Sequence, residues 1–260
     1  MSTIDVFGMS DTGLVRQNNE DRWLADPSLS VAVVADGMGG QACGEVAAQA
    51  TLEEVRRYLN EADPNLSLLQ AVKEAVRAGN RRVRQMAREE LACQGMGSTI
   101  IMAMWRMPEL VIANVGDSRA YLWRAGQLQQ LSSDQTLQNE LRQAGTFTEE
   151  QLKDFEYKNV LTMAIGAADD ILIQTAELLL QPGDEILLCS DGLWFIGDET
   201  LSSVLAAGLA AGLAAGLAAG LAADDTLETT VQHLIAAAKS KGGHDNITAV
   251  LLRYRDPERL

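Results

Sequence analysis

Apolar and polar positions divide the chain into short extended segments and longer helical ones. Residues 30–34 form a β-branched apolar run, and 99–105, 110–115, 119–124 and 127–131 repeat the extended pattern with a turn at Ala125-Gly126. Residues 6–9 and 23–25 predict two short strands around the polar turn 10–21, and 171–179, 185–189 and 247–254 predict three more. Helical spacing of Val46, Val55 and Leu59 predicts a helix over 44–60, broken by Asp63-Pro64-Asn65. A second helix is expected over 66–91 with Leu69, Val72, Val76, Val83 and Met86 on its apolar face, its arginines forming a solvated face. Leu227, Val231, Leu234 and Ile235 mark a final amphipathic helix. Residues 132–160 are polar and irregular, with helical potential near 136–143 and 148–155. This order describes an α+β protein with mainly antiparallel sheets and helices on the outer faces. No linker interrupts it, so residues 1–260 read as one domain.

Composition narrows the function. With 260 residues, 47% of them hydrophobic, the chain can bury one substantial core. A formal charge of −15 argues against nucleic acid and anionic membranes. Three cysteines without CxxC spacing argue against a disulfide scaffold or zinc site, and the first residues lack a secretion signal, so a cytoplasmic setting is expected. Residues 205–223 repeat Leu-Ala-Ala-Gly, with glycines spaced as in membrane helix dimers. Acidic flanks and a mostly Ala/Gly composition favour a tandem expansion inside a connecting helix or loop over a membrane span.

The candidate chemistry sits where strands meet glycines. Val34-Ala35-Asp36-Gly37-Met38-Gly39-Gly40 ends one apolar run with a carboxylate and three glycines. Asp117 follows Asn114-Val115-Gly116, Asp191 follows 186–189, and Asp245 precedes the last strand. One Asp-Gly is an ordinary turn; four aspartates, each beside a β run, describe an all-oxygen site for Mg²⁺ or Mn²⁺. Two such ions can generate hydroxide near neutral pH and stabilise an in-line displacement. Asp36 is the choice for the bridging ligand, because Gly37 can add its carbonyl. The cations are also what would let an anionic substrate approach so many carboxylates. The glycines lack the lysine of a P-loop and the spacing of a dinucleotide fingerprint. Only His233 and His244 are available as imidazole bases, His233 inside a helix and His244 next to Asp245.

Several blocks then match a known family in order. They are Thr12-Gly13-Leu14-Val15-Arg16 with Asn19-Glu20-Asp21, residues 34–40 with Gly44-Glu45, Gly97-Ser98-Thr99, and 114–122. Leu131-Ser132 with Asp134, residues 161–166, residues 188–193 and Asp245-Asn246-Ile247-Thr248 complete the set. The chain resembles the metal-dependent serine/threonine protein phosphatases of type 2C, in their compact bacterial form.

That resemblance implies a central β-sandwich of two antiparallel sheets flanked by helix pairs, with Mn²⁺ or Mg²⁺ in a cleft at one end. It implies that Asp36 bridges two ions with the Gly37 carbonyl, that Asp191 and Asp245 hold the first, and that Glu20 and Asp21 act through water. Asp117 with Asp191 would hold a third ion, Arg16 would grip the substrate phosphate, and 132–160 would form a variable flap. The implied reaction is direct attack of a metal-bound hydroxide on phosphoserine or phosphothreonine, opposite a cognate serine/threonine kinase, by a monomer that binds neither nucleic acid nor membrane. Where many relatives carry histidine as general acid this chain has Gln41, and a later Asp-His-Ser is Asp134-Gln135-Thr136. Glutamine cannot protonate a leaving group, which leaves that step to water or another acid. A phosphoprotein-binding pseudophosphatase and a small-molecule phosphomonoesterase are the competing classes.

Overall fold

The computed structural model describes residues 4–39, 43–219 and 224–255. In chain order it begins with strands β1 (Ile4–Asp11), β2 (Asp21–Asp26) and β3 (Val31–Met38), then helices α1 (Cys43–Glu61) and α2 (Leu68–Glu89). Strands β4 (Gly97–Ser98), β5 (Ile100–Arg106), β6 (Glu109–Val115), β7 (Arg119–Arg124) and β8 (Gln127–Gln130) follow. Two short helices, α3 (Leu137–Gln143) and α4 (Glu149–Lys153), occupy the expected flap. The chain continues through β9 (Gln174–Leu179), β10 (Glu185–Cys189), α5 (Asp191–Trp194), α6 (Asp198–Ala219), α7 (Asp224–Ser240) and β11 (Ile247–Tyr254).

The strands form two antiparallel sheets, one ordered β1-β11-β10-β7-β8 and the other β2-β3-β5-β6-β9 with β4 pairing beside β3. Both faces of the central strands are buried, which is why their sequences read as near-continuous apolar runs. Along β3, Ala32 and Val34 join the core that Ile101, Ile112, Leu122, Leu188 and Val250 form between the sheets. Val31, Val33 and Ala35 face the other way and pack with α1 and α2. Along β10, Ile186 and Leu188 face the inter-sheet core, while Leu187 and Cys189 pack with Leu205, Val231 and Leu234 of the second helix pair. The expected sandwich flanked by helix pairs is therefore present.

Helix α2 starts on a reciprocal capping box between Ser67 and Gln70 and buries Val72, Val76 and Val83 as expected. Its arginines are partly paired: Arg77 meets Glu74, and Arg84 and Arg88 meet Asp169. Val46, expected on the buried face of α1, is 37% exposed; Ala47, Ala48 and Val55 fill that face instead. The Leu-Ala-Ala-Gly repeat continues α6 up to Ala219, and residues 220–223 lie outside the described ones. Leu201 and Leu205 are buried, and Gly208 sits so close to α7 that a Cβ there would lie 2.1 Å from Thr230 Oγ1. Among the described residues no helix is long and apolar enough to cross a membrane.

The cysteine expectation is corrected. Cys43 and Cys93 form a disulfide, with Cα atoms 5.4 Å apart, and only Cys189 is free and buried. The 50-residue separation hides the pairing from the sequence, because the fold alone brings the start of α1 to the turn after α2. With this pair bonded, the cysteines no longer point to a reducing compartment.

Candidate active site

The site is built at one end of the sandwich, where β3, the β6–β7 loop, the start of α5 and the turn before β11 meet. An open cleft of about 480 Å³ is lined by Arg16, Glu20, Asp36, Gly37, Asp117, Asp191 and Asp245, with Asn159 and Leu161 of the flap side opposite. A larger groove of about 670 Å³ between α1 and α2 mixes Glu53 and Glu54 with Arg57, Arg81 and Arg82. It shows no converging set of like groups, so the chemistry belongs to the smaller cleft.

Asp36 is held by its own backbone. Its N–H donates to Thr99 Oγ1 (3.0 Å), and its carbonyl accepts from Thr99 N–H (2.8 Å) and Ser98 Oγ (3.0 Å). The next residue must be glycine: a Cβ on Gly37 would lie 2.0 Å from the Gly44 carbonyl oxygen. Gly44 in turn leaves room for the Glu20 carboxylate, 2.6 Å from where its Cβ would be. Burial, and then the charges of Asp21, Asp191, Asp117 and Asp245, push the Asp36 carboxyl well above the usual carboxylate range.

Asp191 opens α5, a short helix that the sequence reading misses. Its Oδ1 is buried without a hydrogen-bond partner. Burial and the neighbouring Asp245 push its pKa up to about 6, against the Gly192 N–H and Arg16, which lower it. Gly192 allows the turn to lean on its neighbour, since a Cβ there would lie 2.0 Å from the Asn246 carbonyl oxygen. Asp117 is 7% exposed, and burial with the charge of Asp191 takes it up to about 7. Trp194 Nε1 donates to the Asp117 carbonyl (2.9 Å), and the Arg119 guanidinium lies 3.6 Å over the Trp194 ring while pairing with Asp134.

Asp21 does not line the cleft. It lies beneath it, opposite Asp36 on β2, with Oδ2 accepting from Ser190 Oγ (2.7 Å) and Thr248 Oγ1 (2.6 Å). Burial raises its pKa to about 7 against those two hydrogen bonds. Arg16 stands at the mouth, its Nη2 2.7 Å from Asp245 Oδ2. Asn246, quoted in the sequence only as part of a motif, ties the entrance together. Its Nδ2 donates to the carbonyls of Thr12 and Asn18, and its Oδ1 accepts from the Glu20 N–H.

Other expected participants lie elsewhere. His233 and His244 are exposed, and the His244 ring packs edge-on to Phe195. Gln41 is outside the described residues. Gln135 is a buried clamp: its Oε1 accepts from Gly116 N–H and its Nε2 donates to the Leu172 carbonyl, both at 2.8 Å.

The donor set fits hard divalent cations. Every candidate ligand is oxygen, one Asp191 oxygen lacks a partner, and the buried carboxyls raise one another's pKa, a strain that cations relieve. Among the described residues no three acidic, histidine or cysteine side chains already form a cage around one point. Cations bound here would need the Gly37 carbonyl or water beside the carboxylates, as suits ions that keep several waters.

The protein phosphatase 2C family profile matches residues 11–250, and the chain belongs to that family. It is 32% identical over 258 residues to the serine/threonine phosphatase stp of Listeria monocytogenes, covering 95% of this chain and 94% of that protein. It is 34% identical over 244 residues to the serine/threonine protein phosphatase PstP of Mycobacterium tuberculosis, covering 93% of this chain and 43% of that longer protein. The solved PstP catalytic domain in complex with two manganese ions superposes with a TM-score of 0.81 at 30% identity, covering 98% of this chain and 100% of that one.

Proposed function

We propose that this chain is a Mn²⁺- or Mg²⁺-dependent phosphatase that hydrolyses phosphoserine and phosphothreonine in proteins. The observation that carries the reading is the convergence of Asp36, Asp117, Asp191 and Asp245 on one cleft with Arg16 at its mouth. In this reading Asp36 and the Gly37 carbonyl would hold two ions between them, Asp191 and Asp245 would complete the first, and Asp117 with Asp191 would offer a third position. Bound there, the ions would lower the pKa of water and neutralise charge developing on the phosphoryl group. Glu20 faces the cleft and acts through water, while Asp21 orders the floor through Ser190 and Thr248. Arg16 orients the phosphate, since a guanidinium fork matches phosphate oxygens.

The reading includes a single catalytic domain with 132–160 as its flap, acting as a monomer opposite a serine/threonine kinase in the cytoplasm. A Cys43–Cys93 pair found oxidised in protein isolated from cells with thiols blocked would argue against that compartment. The activity test is phosphate release from a phosphothreonine peptide with Mn²⁺, and again after exhaustive chelation. Metal-dependent release supports the proposal, and turnover that survives chelation overturns it. Peptide binding without turnover would make the chain a pseudophosphatase, and turnover confined to small esters would make it a phosphomonoesterase.

A further inference from the structure

Two of the segments that serve the cleft, those carrying Arg16 and Asp191, also present apolar side chains to solvent. Leu14 and Val15 are 62% and 61% exposed, and Phe195 is 46% exposed. Other apolar residues beside them are buried: Leu193 at 0%, Ile196 at 6% and Ile247 at 0%. Leu14 and Phe195 are joined into one strip along the turn before Asp245, and Val15 follows Leu14 in the chain. The Leu14 side chain lies against Gly243, His244 follows Gly243, and the His244 ring stands 6.4 Å from that of Phe195.

The strip is rigidly mounted. Leu14 N–H donates to the Gly243 carbonyl (2.7 Å), and Phe195 N–H donates to the Asp191 carbonyl (3.1 Å). Gly13, at φ +81°, has the Asp245 carbonyl oxygen 2.2 Å from where a Cβ would be, so the Leu14 loop cannot shift without disturbing the Asp245 turn. Leu14 is two residues before Arg16, His244 one before Asp245, and Phe195 four after Asp191. Contiguous apolar surface on a fixed rim of a cleft marks a contact surface more than scattered exposure does. Charges of both signs surround its Leu14–Gly243 end: Arg16 pairs with Asp245, Lys239 pairs with Asp11, and Lys241 lies two residues before Gly243.

We propose that this rim is a specificity subsite that takes an aliphatic or aromatic side chain flanking the phosphoresidue of a polypeptide substrate. It deepens the phosphatase reading and rests on it. An apolar flank gains contact with Val15 and Phe195 while the phosphate occupies the cleft, and an alanine flank is too short to do so. A small aryl phosphate reaches the cleft without touching the rim.

The test measures kcat/KM with Mn²⁺ for phosphothreonine peptides that differ only in carrying leucine, phenylalanine, alanine or lysine at the flanking positions, with an aryl phosphate alongside. Wild type should favour leucine- and phenylalanine-flanked peptides over the alanine peptide by about 5–30-fold, mainly through KM, since one apolar group in a pocket gives discrimination of that order. Val15→Ser and Phe195→Ser, singly and together, should remove the preference and leave aryl phosphate turnover within about twofold. Equal kcat/KM for all peptides in wild type overturns the subsite, as does a preference that survives both substitutions. Parallel loss of aryl phosphate turnover also overturns it, because the rim would then serve only to hold the loops. No metal-dependent release from any peptide or from the aryl ester would instead remove the phosphatase reading itself.

Discussion

Arg16 Nη2 lies 2.7 Å from Asp245 Oδ2, joining the residue proposed to hold phosphate to one proposed to hold a cation. Both side chains are partly exposed, so this pair is of the kind that adds little stability. Its meaning is competitive: a cation at Asp245 and the Arg16 guanidinium seek the same oxygen. Arg16→Ala should raise KM for a phosphopeptide by about 10-fold or more, from the ~1.5–3 kcal/mol of a charged hydrogen bond, with a smaller fall in kcat. It should also tighten Mn²⁺ binding measured by calorimetry. An unchanged KM together with unchanged Mn²⁺ affinity would return Arg16 to an ordinary surface charge.

The carboxylates themselves give the second prediction. Asp36→Asn, Asp191→Asn and Asp245→Asn should each lower phosphopeptide turnover by more than the ~10–100-fold typical of losing an outer-shell partner. Circular dichroism should show the fold retained, because each substitution removes charge from a crowded carboxylate group. Near wild-type turnover in the Asp36 variant at saturating Mn²⁺ would sink the assignment of Asp36 as the central ligand.

Metal removal should expose the cost of crowding these acids. Asp36, Asp21, Asp117 and Asp191 all have pKa values raised by burial and by one another. In the metal-free protein the native state therefore binds more protons than the unfolded chain between about pH 4 and 7. Stability falls as pH rises through that window, since its slope follows the protons bound in the unfolded state minus those in the native state. Thermal unfolding in chelator should thus give a Tm that declines toward neutral pH, with a flatter decline in Asp36→Asn. Stabilisation by added Mn²⁺ should grow with pH over the same range. A Tm difference between wild type and Asp36→Asn that stays constant across it would contradict this account.

The disulfide supplies a prediction of a different kind. Cys43 and Cys93 close a 50-residue loop that contains nearly all of α1 and all of α2. In the chain-entropy picture a loop of that length is worth about 4 kcal/mol. Reduction, or Cys43→Ser with Cys93→Ser, should lower the urea midpoint accordingly. Thiol titration of the denatured, unreduced protein should find Cys189 alone. Three reactive thiols and an unchanged midpoint would show that the pair is open.

Much of this fold can be read in the sequence because its strands are buried on both faces. Residues 30–34 and 186–189 are apolar runs for that reason, and the breaks between such runs locate the aspartates. Contacts between distant segments leave no such trace. The sandwich decides that Val46 faces solvent while Ala47 does not, and that residues 43 and 93 meet. Asp21, Ser190 and Thr248 come from three strands or their ends, so their mutual hydrogen bonds have no local pattern. Helix α5 is missed because four residues are too few for a period to appear. The family resemblance leads to an expectation of histidine at 135, and the fold uses Gln135 instead to clamp Gly116, the residue before Asp117.

The close approach of Gly37 to Gly44 and of Gly192 to Asn246 has a consequence for recognising silent members of such a lineage. At either glycine a single methyl group would collide with a backbone oxygen 2.0 Å away and push apart the two loops it joins. Every carboxylate would survive in the sequence while the cleft they share was lost. An inventory of intact acidic residues would score such a chain as a working enzyme. The glycines are the earlier place to look, because inactivation there requires only one small side chain and leaves every acid in place.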